Sequence, residues 1–225
     1  MQDPGARRWD SADLARSRLG VELAVVLAVI WAPLFAAGIC DRIHPLDWTL
    51  ETELYTLVLL IGETCLLLYI VWNRNGTLRP LGIRKTRWWA EVLWGVGIFL
   101  ALRAAGWYLW ALFKIFGWVE DAEETGRPEG LYAALLPLFL LAGAVFEELL
   151  VRGYLWDRLS RLTGRRTLAL FLSSALFAAY HPYSLAECAI IFVDGLLLGT
   201  FFWMSRSLPR VVLGHWALNL WLYFA

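Results

Sequence analysis

Seven apolar runs, near residues 21–39, 54–72, 89–117, 131–156, 167–181, 186–204 and 208–224, are separated along this chain by short polar segments. About 20 consecutive apolar residues is the length that crosses a bilayer as a helix. The pattern therefore predicts an all-α, polytopic membrane bundle of about seven transmembrane helices. Loops this short leave no room for a soluble domain and no internal repeat is visible, so residues 1–225 read as a single integral membrane domain. Residues 1–20 form a polar N-terminal segment, in which 9-WDSADLARSRLG-20 predicts a short surface helix ahead of the first span. A signal peptide ending near Ala36-Ala37-Gly38 is the competing reading of residues 1–39. The long polar start and the full spanning length of the run favour a membrane anchor instead.

Charge then orients the bundle. Lys and Arg gather in short cytoplasmic loops, and here they alternate from one connection to the next. Arg7, Arg8, Arg16 and Arg18 precede the first run, with only Arg42 after it; Arg74, Arg79, Arg84, Lys85 and Arg87 follow the second, and Arg127 the third. Arg152, Arg158, Arg161, Arg165 and Arg166 follow the fourth, none lies near 182–185, and Arg206 and Arg210 precede the last. This places the N-terminus in the cytoplasm and the C-terminus outside. The composition agrees with a membrane protein, since 60% of the 225 residues are hydrophobic and 18% charged, with no formal net charge. The acids Glu120, Asp121, Glu123, Glu124 and Glu129 crowd one outer loop, which reads as a solvated hairpin. The basic residues follow the orientation pattern, so no nucleic-acid partner is expected. Cys40, Cys65 and Cys188 have no metal-binding spacing, and a Cys40–Cys188 disulfide is conceivable if both lie at the outer face.

The anomaly is the stretch Phe146-Glu147-Glu148-Leu149-Leu150-Val151-Arg152-Gly153. No acidic or basic residue occurs from Leu131 to Phe146, and then three arrive within six positions. Ionisable groups inside a spanning helix are costly and mark functional sites whose partners should be sought. Glu148 and Arg152 are four apart and share a helix face, so they can pair. Glu147 points about 100° away, free to face a cavity.

Candidate partners lie further along the chain. His181 ends the fifth run in Phe177-Ala178-Ala179-Tyr180-His181, and His215 and Asn219 share a face of the seventh. Asp194, in the sixth, either lines the same cavity or pairs with Arg103; Glu63 and Arg103 read as a structural ion pair between the second and third spans. Gly195 and Gly199 read as a site of close helix packing. At about 1.5 Å per residue, Glu147 reaches the depth of His181 and Asn219 only if its helix continues past Gly153 through Tyr154, Leu155 and Trp156.

These residue types fit peptide hydrolysis. A desolvated carboxylate is suited to take a proton from water and return it to a leaving group. A neutral histidine can share that water, and His215 with Asn219 can donate to the oxyanion that forms when water attacks a carbonyl.

Glu147, Glu148 and Arg152 match a Glu-Glu-x-x-x-Arg motif, Phe177 and His181 a Phe-x-x-x-His, and His215 and Asn219 a His-x-x-x-Asn. In order, spacing and placement they resemble the CAAX-processing and bacteriocin-processing family of intramembrane proteases over roughly residues 131–224. The resemblance implies that Glu147 and His181 activate the water, that His215 and Asn219 stabilise the oxyanion, and that Glu148 and Arg152 hold the site in shape, with Phe177 supporting; Asp194 is a further supporting candidate by its place in the sixth run and not by the resemblance. It implies a glutamic-type endopeptidase without a cofactor, acting on a leader, a C-terminal sorting segment or a CAAX-type terminus of a membrane-associated protein or peptide. Zinc held by Glu147, His181 and His215 is the alternative, and a non-catalytic immunity or transport protein is a reading from another class. Asp194 stands where many members carry apolar or small residues, which points to a specialised pocket. The compact chain points to a prokaryotic member in the cytoplasmic membrane.

Overall fold

A computed structural model describes residues 11–43, 49–83, 87–119, 129–181 and 183–224. Arg7, Arg8, Arg84, Lys85, Arg127 and the acidic loop from Glu120 to Glu124 lie outside these residues, so the orientation signal and the acidic hairpin are described only in part. Within them every regular element is helical.

The first rod is α1 (Ser11–Val26), a π-helical turn (Leu27–Trp31) and α2 (Ala32–Ile43), running without a break. The surface helix expected at 9–20 is instead the start of this rod, because its polar residues continue directly into the apolar run. Pro33, which has no N–H to give to the preceding turn, follows the π turn, where the Ala32 N–H reaches back five residues to the Leu27 carbonyl. The second and third rods are α3 (Leu50–Asn75) and α4 (Trp88–Ile115). Thr49 caps α3 with a reciprocal capping box to Thr52, and Gly76 closes it in the left-handed conformation.

The fourth rod is the longest. Here α5 (Gly130–Glu148), a π-helical segment (Leu149–Leu155) and α6 (Trp156–Thr163) form 34 continuous residues. At about 1.5 Å per residue this rod is about 50 Å long, against a hydrocarbon core of about 30 Å. The required continuation past Gly153 is therefore present, and it extends beyond Trp156 to Thr163. All seven residues of the π segment are buried, including Arg152. Single π turns inside α-helices concentrate at functional sites, and this one begins immediately after the two glutamates.

The last rods are α7 (Arg166–Ala179), α8 (Leu185–Ser205) and α9 (Leu208–Phe224). The fold is thus the expected polytopic helical bundle of seven rods. Five of them are long and apolar enough to cross a membrane by themselves, whereas α7 has 14 residues and α9 has 17. Large apolar side chains such as Leu54, Val58, Leu93, Leu100 and Phe171 are exposed, as lipid-facing surfaces require.

Two close approaches place the later helices. A Cβ on Gly195 would come within 3.0 Å of the Ser174 Cβ, and one on Gly199 within 2.3 Å of the Leu170 Cδ1, so the glycines let α8 lie against α7 as expected. A Cβ on Gly214 would meet the Ile98 side chain at 2.5 Å, which seats α9 tightly along α4. Trp216 donates its indole N–H to the Pro137 carbonyl at 2.9 Å, tying α9 to α5 beside His215.

Several arginines counted as loop charges are structural. Arg158 lies buried in α6, with its Nε 2.8 Å from Glu22 Oε1 and its Nη1 2.7 Å from Asp157 Oδ2. Glu22 also pairs with Arg74 and accepts from the Tyr154 hydroxyl at 3.1 Å, joining α1, α3 and the fourth rod. Arg210 pairs with the buried Glu91 at 2.9 Å, linking α9 to α4.

Candidate active site

The two adjacent glutamates have separate environments. Glu148 is fully buried, and its Oε1 accepts from Arg152 Nη1 at 2.8 Å and from His215 Nδ1 at 2.9 Å. Arg152 is held on two further sides. Its Nη2 donates to the Gly195 carbonyl at 3.1 Å, a bond that the close approach of α8 permits, and its guanidinium lies 4.5 Å from the centre of the Phe177 ring. Glu147 has a fifth of its side chain exposed, and its Oε2 stands 3.5 Å from His215 Nε2. The restrained Glu148–Arg152 pair and the cavity-facing Glu147 agree with the helical spacing. The bond from Glu148 to His215 does not follow from spacing, since the two residues are on different rods.

The C-terminal end of α7 fixes His181. Carbonyls in the last turn of a helix have no partner within the helix, and side chains supply them here. The Leu176 carbonyl accepts from the Trp31 indole at 2.9 Å, across from the first rod, and the Phe177 carbonyl accepts from His181 Nδ1 at 2.8 Å. A carbonyl can only accept, so Nδ1 carries the hydrogen. Nε2 of the neutral ring then holds the lone pair.

Stacking holds the ring in place. His181 lies between Tyr180 at 4.6 Å and Tyr183 at 5.9 Å, and Phe177 meets His181 edge-on at 5.0 Å and His215 at 5.8 Å. Tyr183 lies in the connection after α7, and burial pushes its phenol up to about 12, so it remains a neutral hydroxyl at working pH.

Two cavities meet at these residues. One, of about 930 Å³, is lined by Glu147, Tyr180, His181, His215 and Asn219 together with apolar groups of α2, α3 and α5 such as Leu34, Leu60 and Phe139. The other, of about 630 Å³, is lined by Arg103, Phe177 and Asp194 and shares His181, Tyr183, His215, Asn219 and Leu222 with the first. The four expected catalytic residues thus converge on one cavity wall. Asp194 lies in the adjoining cavity, beyond the histidines, and not in the one Glu147 faces.

Other expectations need correction. Glu63 and Arg103 form no ion pair among the described residues, because α3 packs on α5 and the π segment while α4 packs on α9 and α8. Arg103 instead lies 5.3 Å from the Trp221 ring centre. It does not pair with Asp194 either, whose Oδ1 is buried without a hydrogen-bond partner. Cys40, Cys65 and Cys188 are free thiols, with no Cys40–Cys188 disulfide. Among the described residues no group of three or more His, Cys, Asp or Glu side chains is placed to hold a metal ion.

Tyr180 was not singled out from the sequence. Its hydroxyl is buried, faces Glu147 and makes no hydrogen bond within normal limits. Its place beside His181 was the only available signal.

Residues 129–221 match the family described as type II CAAX prenyl endopeptidase, Rce1-like. The curated proteins and the solved structures contain no match to the chain. The matched residues run from the residue before α5 nearly to the end of α9 and contain all three motifs. Residues 129–221 of this integral, multi-pass membrane protein are thus similar to a family of CAAX-type membrane endopeptidases, in support of the resemblance that the three motifs carry.

Proposed function

We propose that this protein is a glutamic-type intramembrane endopeptidase that hydrolyses a peptide bond of a membrane-associated protein or peptide with a water activated by Glu147 and His181. One observation carries the reading: Glu148 is buried and held through its Oε1 by Arg152 and His215, whereas its neighbour Glu147 faces a cavity shared with His181, His215 and Asn219.

The roles follow from the atoms. Glu147 takes one proton from a cavity water as the oxygen attacks the scissile carbonyl, and His181 Nε2, bearing its lone pair, accepts a hydrogen bond from the other. The oxyanion receives hydrogen bonds from the Asn219 amide and from His215 Nε2. Because His215 Nδ1 donates to Glu148, a donor at Nε2 requires the imidazolium. In that form it leaves the cluster of Glu147, Glu148, Arg152 and His215 without net charge, which limits the cost of burying it. Glu147 then gives its proton to the departing nitrogen, and an acid and an amine are released. No cofactor takes part in these steps.

The cytoplasmic N-terminus belongs to the same reading, supported by the alternation of arginines along the chain. The substrate reaches the site from the membrane and is cut near a terminus.

The test is cleavage of an internally quenched, lipidated peptide by purified protein in detergent. Glu147→Gln is expected to lower kcat by about 10²–10⁴, with the thermal unfolding midpoint unchanged. Chelators are expected to leave the rate intact. Stoichiometric zinc with activity abolished by chelation would refute the mechanism, and a folded wild-type protein that cuts no peptide of any sequence would favour an immunity or transport role.

A further inference from the structure

A phenol at the end of α7 has a buried hydroxyl with no partner, although it faces the carboxylate assigned to proton transfer. Tyr180 caps the C-terminus of α7 and is 8% exposed, and its hydroxyl oxygen is buried without a hydrogen-bond partner. Two rings fix its own ring in place: His181 stacks on it at 4.6 Å, and Phe177 meets it edge-on at 5.8 Å. The charged groups acting on the hydroxyl are Glu147, Arg152 and Glu148, of which Glu147 acts most strongly. Glu148 and Arg152 are paired with each other at 2.8 Å, and Glu147 is the one that shares a cavity with Tyr180.

A buried donor left unpaired destabilises a fold, and phenylalanine would fill the same space without that cost. A catalytic role is one of the few reasons for a fold to keep such a group. Hydrogen bonds at catalytic groups are often incomplete in the free enzyme and tighten as the reaction proceeds. The charge on Glu147 changes twice in the proposed reaction. It disappears when the carboxylate takes a proton from water, and it returns when that proton passes to the departing nitrogen. An O–H aimed at the carboxylate opposes the first change and assists the second, because a donor stabilises the ionised form. The second change weighs more in cutting a peptide bond, since an amide nitrogen leaves poorly unless it is protonated.

We propose that Tyr180 is a positioning residue for the breakdown of the tetrahedral intermediate, its hydroxyl donating to Glu147 as that side chain gives its proton to the leaving nitrogen. In this step the C–N bond breaks, the carbonyl re-forms from the oxyanion, and the proton moves from Glu147 to nitrogen. The negative charge ends on the Glu147 carboxylate, and the Tyr180 hydroxyl bonds to it while keeping its own proton. The proposal deepens the protease reading and rests on it for the role of Glu147.

The leaving group provides the test. The full chain in detergent, as wild type, Tyr180→Phe and Glu147→Gln, is assayed on a quenched lipidated peptide and on the same sequence with an ester at the scissile bond. Tyr180→Phe is expected to lower kcat on the amide by about 10- to 100-fold, the range of a hydrogen bond to a charged group, with KM within about twofold. On the ester its kcat should stay within about threefold of the wild type, because an alcohol leaves with less help from an acid. The unfolding midpoint should remain at or above that of the wild type, since the ring is kept and an unpaired hydroxyl removed. Tyr180→para-aminophenylalanine, which retains a donor at the same place, should recover most of the amide rate. An unchanged amide rate in Tyr180→Phe, or equal losses on amide and ester, would overturn the proposal. A lower unfolding midpoint would overturn it too, by making the hydroxyl part of the fold. Loss of cleavage in Glu147→Gln with none in Tyr180→Phe would sink this proposal alone, whereas full cleavage by Glu147→Gln would sink the catalytic reading beneath it.

Discussion

Replacing Glu148 and Glu147 one at a time, each with Gln, should give opposite results from neighbouring positions. Glu148 has no exposed surface, and its Oε1 takes two bonds, from Arg152 at 2.8 Å and His215 at 2.9 Å. Gln retains an oxygen but no charge, so Arg152, itself 2% exposed, loses its only ion-pair partner among the described residues. Removing one member of a buried pair costs about 3–5 kcal/mol, because the other charge is left uncompensated. The Gly195 carbonyl and the Phe177 ring remain in contact with Arg152, which sets the expected loss at the lower end, about 3 kcal/mol. For a chain of this size, at about 2–4 °C per kcal/mol, the unfolding midpoint should fall by roughly 6–12 °C.

Glu147 is 20% exposed at its side chain and has His215 at 3.5 Å as its nearest ionic partner. Its Gln variant should unfold within about 2 °C of the wild type, less than 1 kcal/mol, while losing cleavage. Both variants are measured by thermal unfolding in one detergent and by cleavage of one quenched peptide. A Glu148→Gln protein as stable as the wild type, or a Glu147→Gln protein that keeps more than a tenth of its kcat, would refute this division of labour.

Further substitutions examine the scaffold. Gly195→Val should lower stability by about 1–3 kcal/mol and reduce cleavage as well, since a Cβ already reaches 3.0 Å from Ser174 and the Arg152 bond to the Gly195 carbonyl depends on that approach; thermal unfolding and kcat measure the two effects. Trp31→Phe removes the donor to the Leu176 carbonyl and should cost about 1–3 kcal/mol in unfolding experiments. Glu22→Gln removes a carboxylate shared by Arg74, Arg158 and Tyr154. Its expected cost is about 1–3 kcal/mol, seen as a lower unfolding midpoint.

Composition and spacing made much of this protein legible. The apolar runs defined seven rods because a bilayer imposes a length on any helix that crosses it, and Glu148–Arg152 and His215–Asn219 followed from four-residue spacing on a single helix. The need for a helix continuing past Gly153 was also readable, since depth is rise times residue count. What depended on contacts between rods was not. A π segment at Leu149–Leu155 has no periodic signature short enough to detect, and Glu63 and Arg103, at similar depths on consecutive spans, belong to helices that pack elsewhere. The loop arginines gave an orientation signal, but Arg158 proved to be buried against Glu22.

The glutamate pair shows where the division lies. The sequence by itself determined that Glu147 and Glu148 face different ways, because adjacent residues on a helix diverge by about 100°. Only the tertiary structure decided what each one faces: Glu148 meets His215 from another helix, and Glu147 meets a cavity. Helical geometry is local and repeats along the chain. Which helix lies beside which is set by the fit of side chains such as Gly195 against Ser174 and Gly214 against Ile98, and no spacing within one helix encodes that fit.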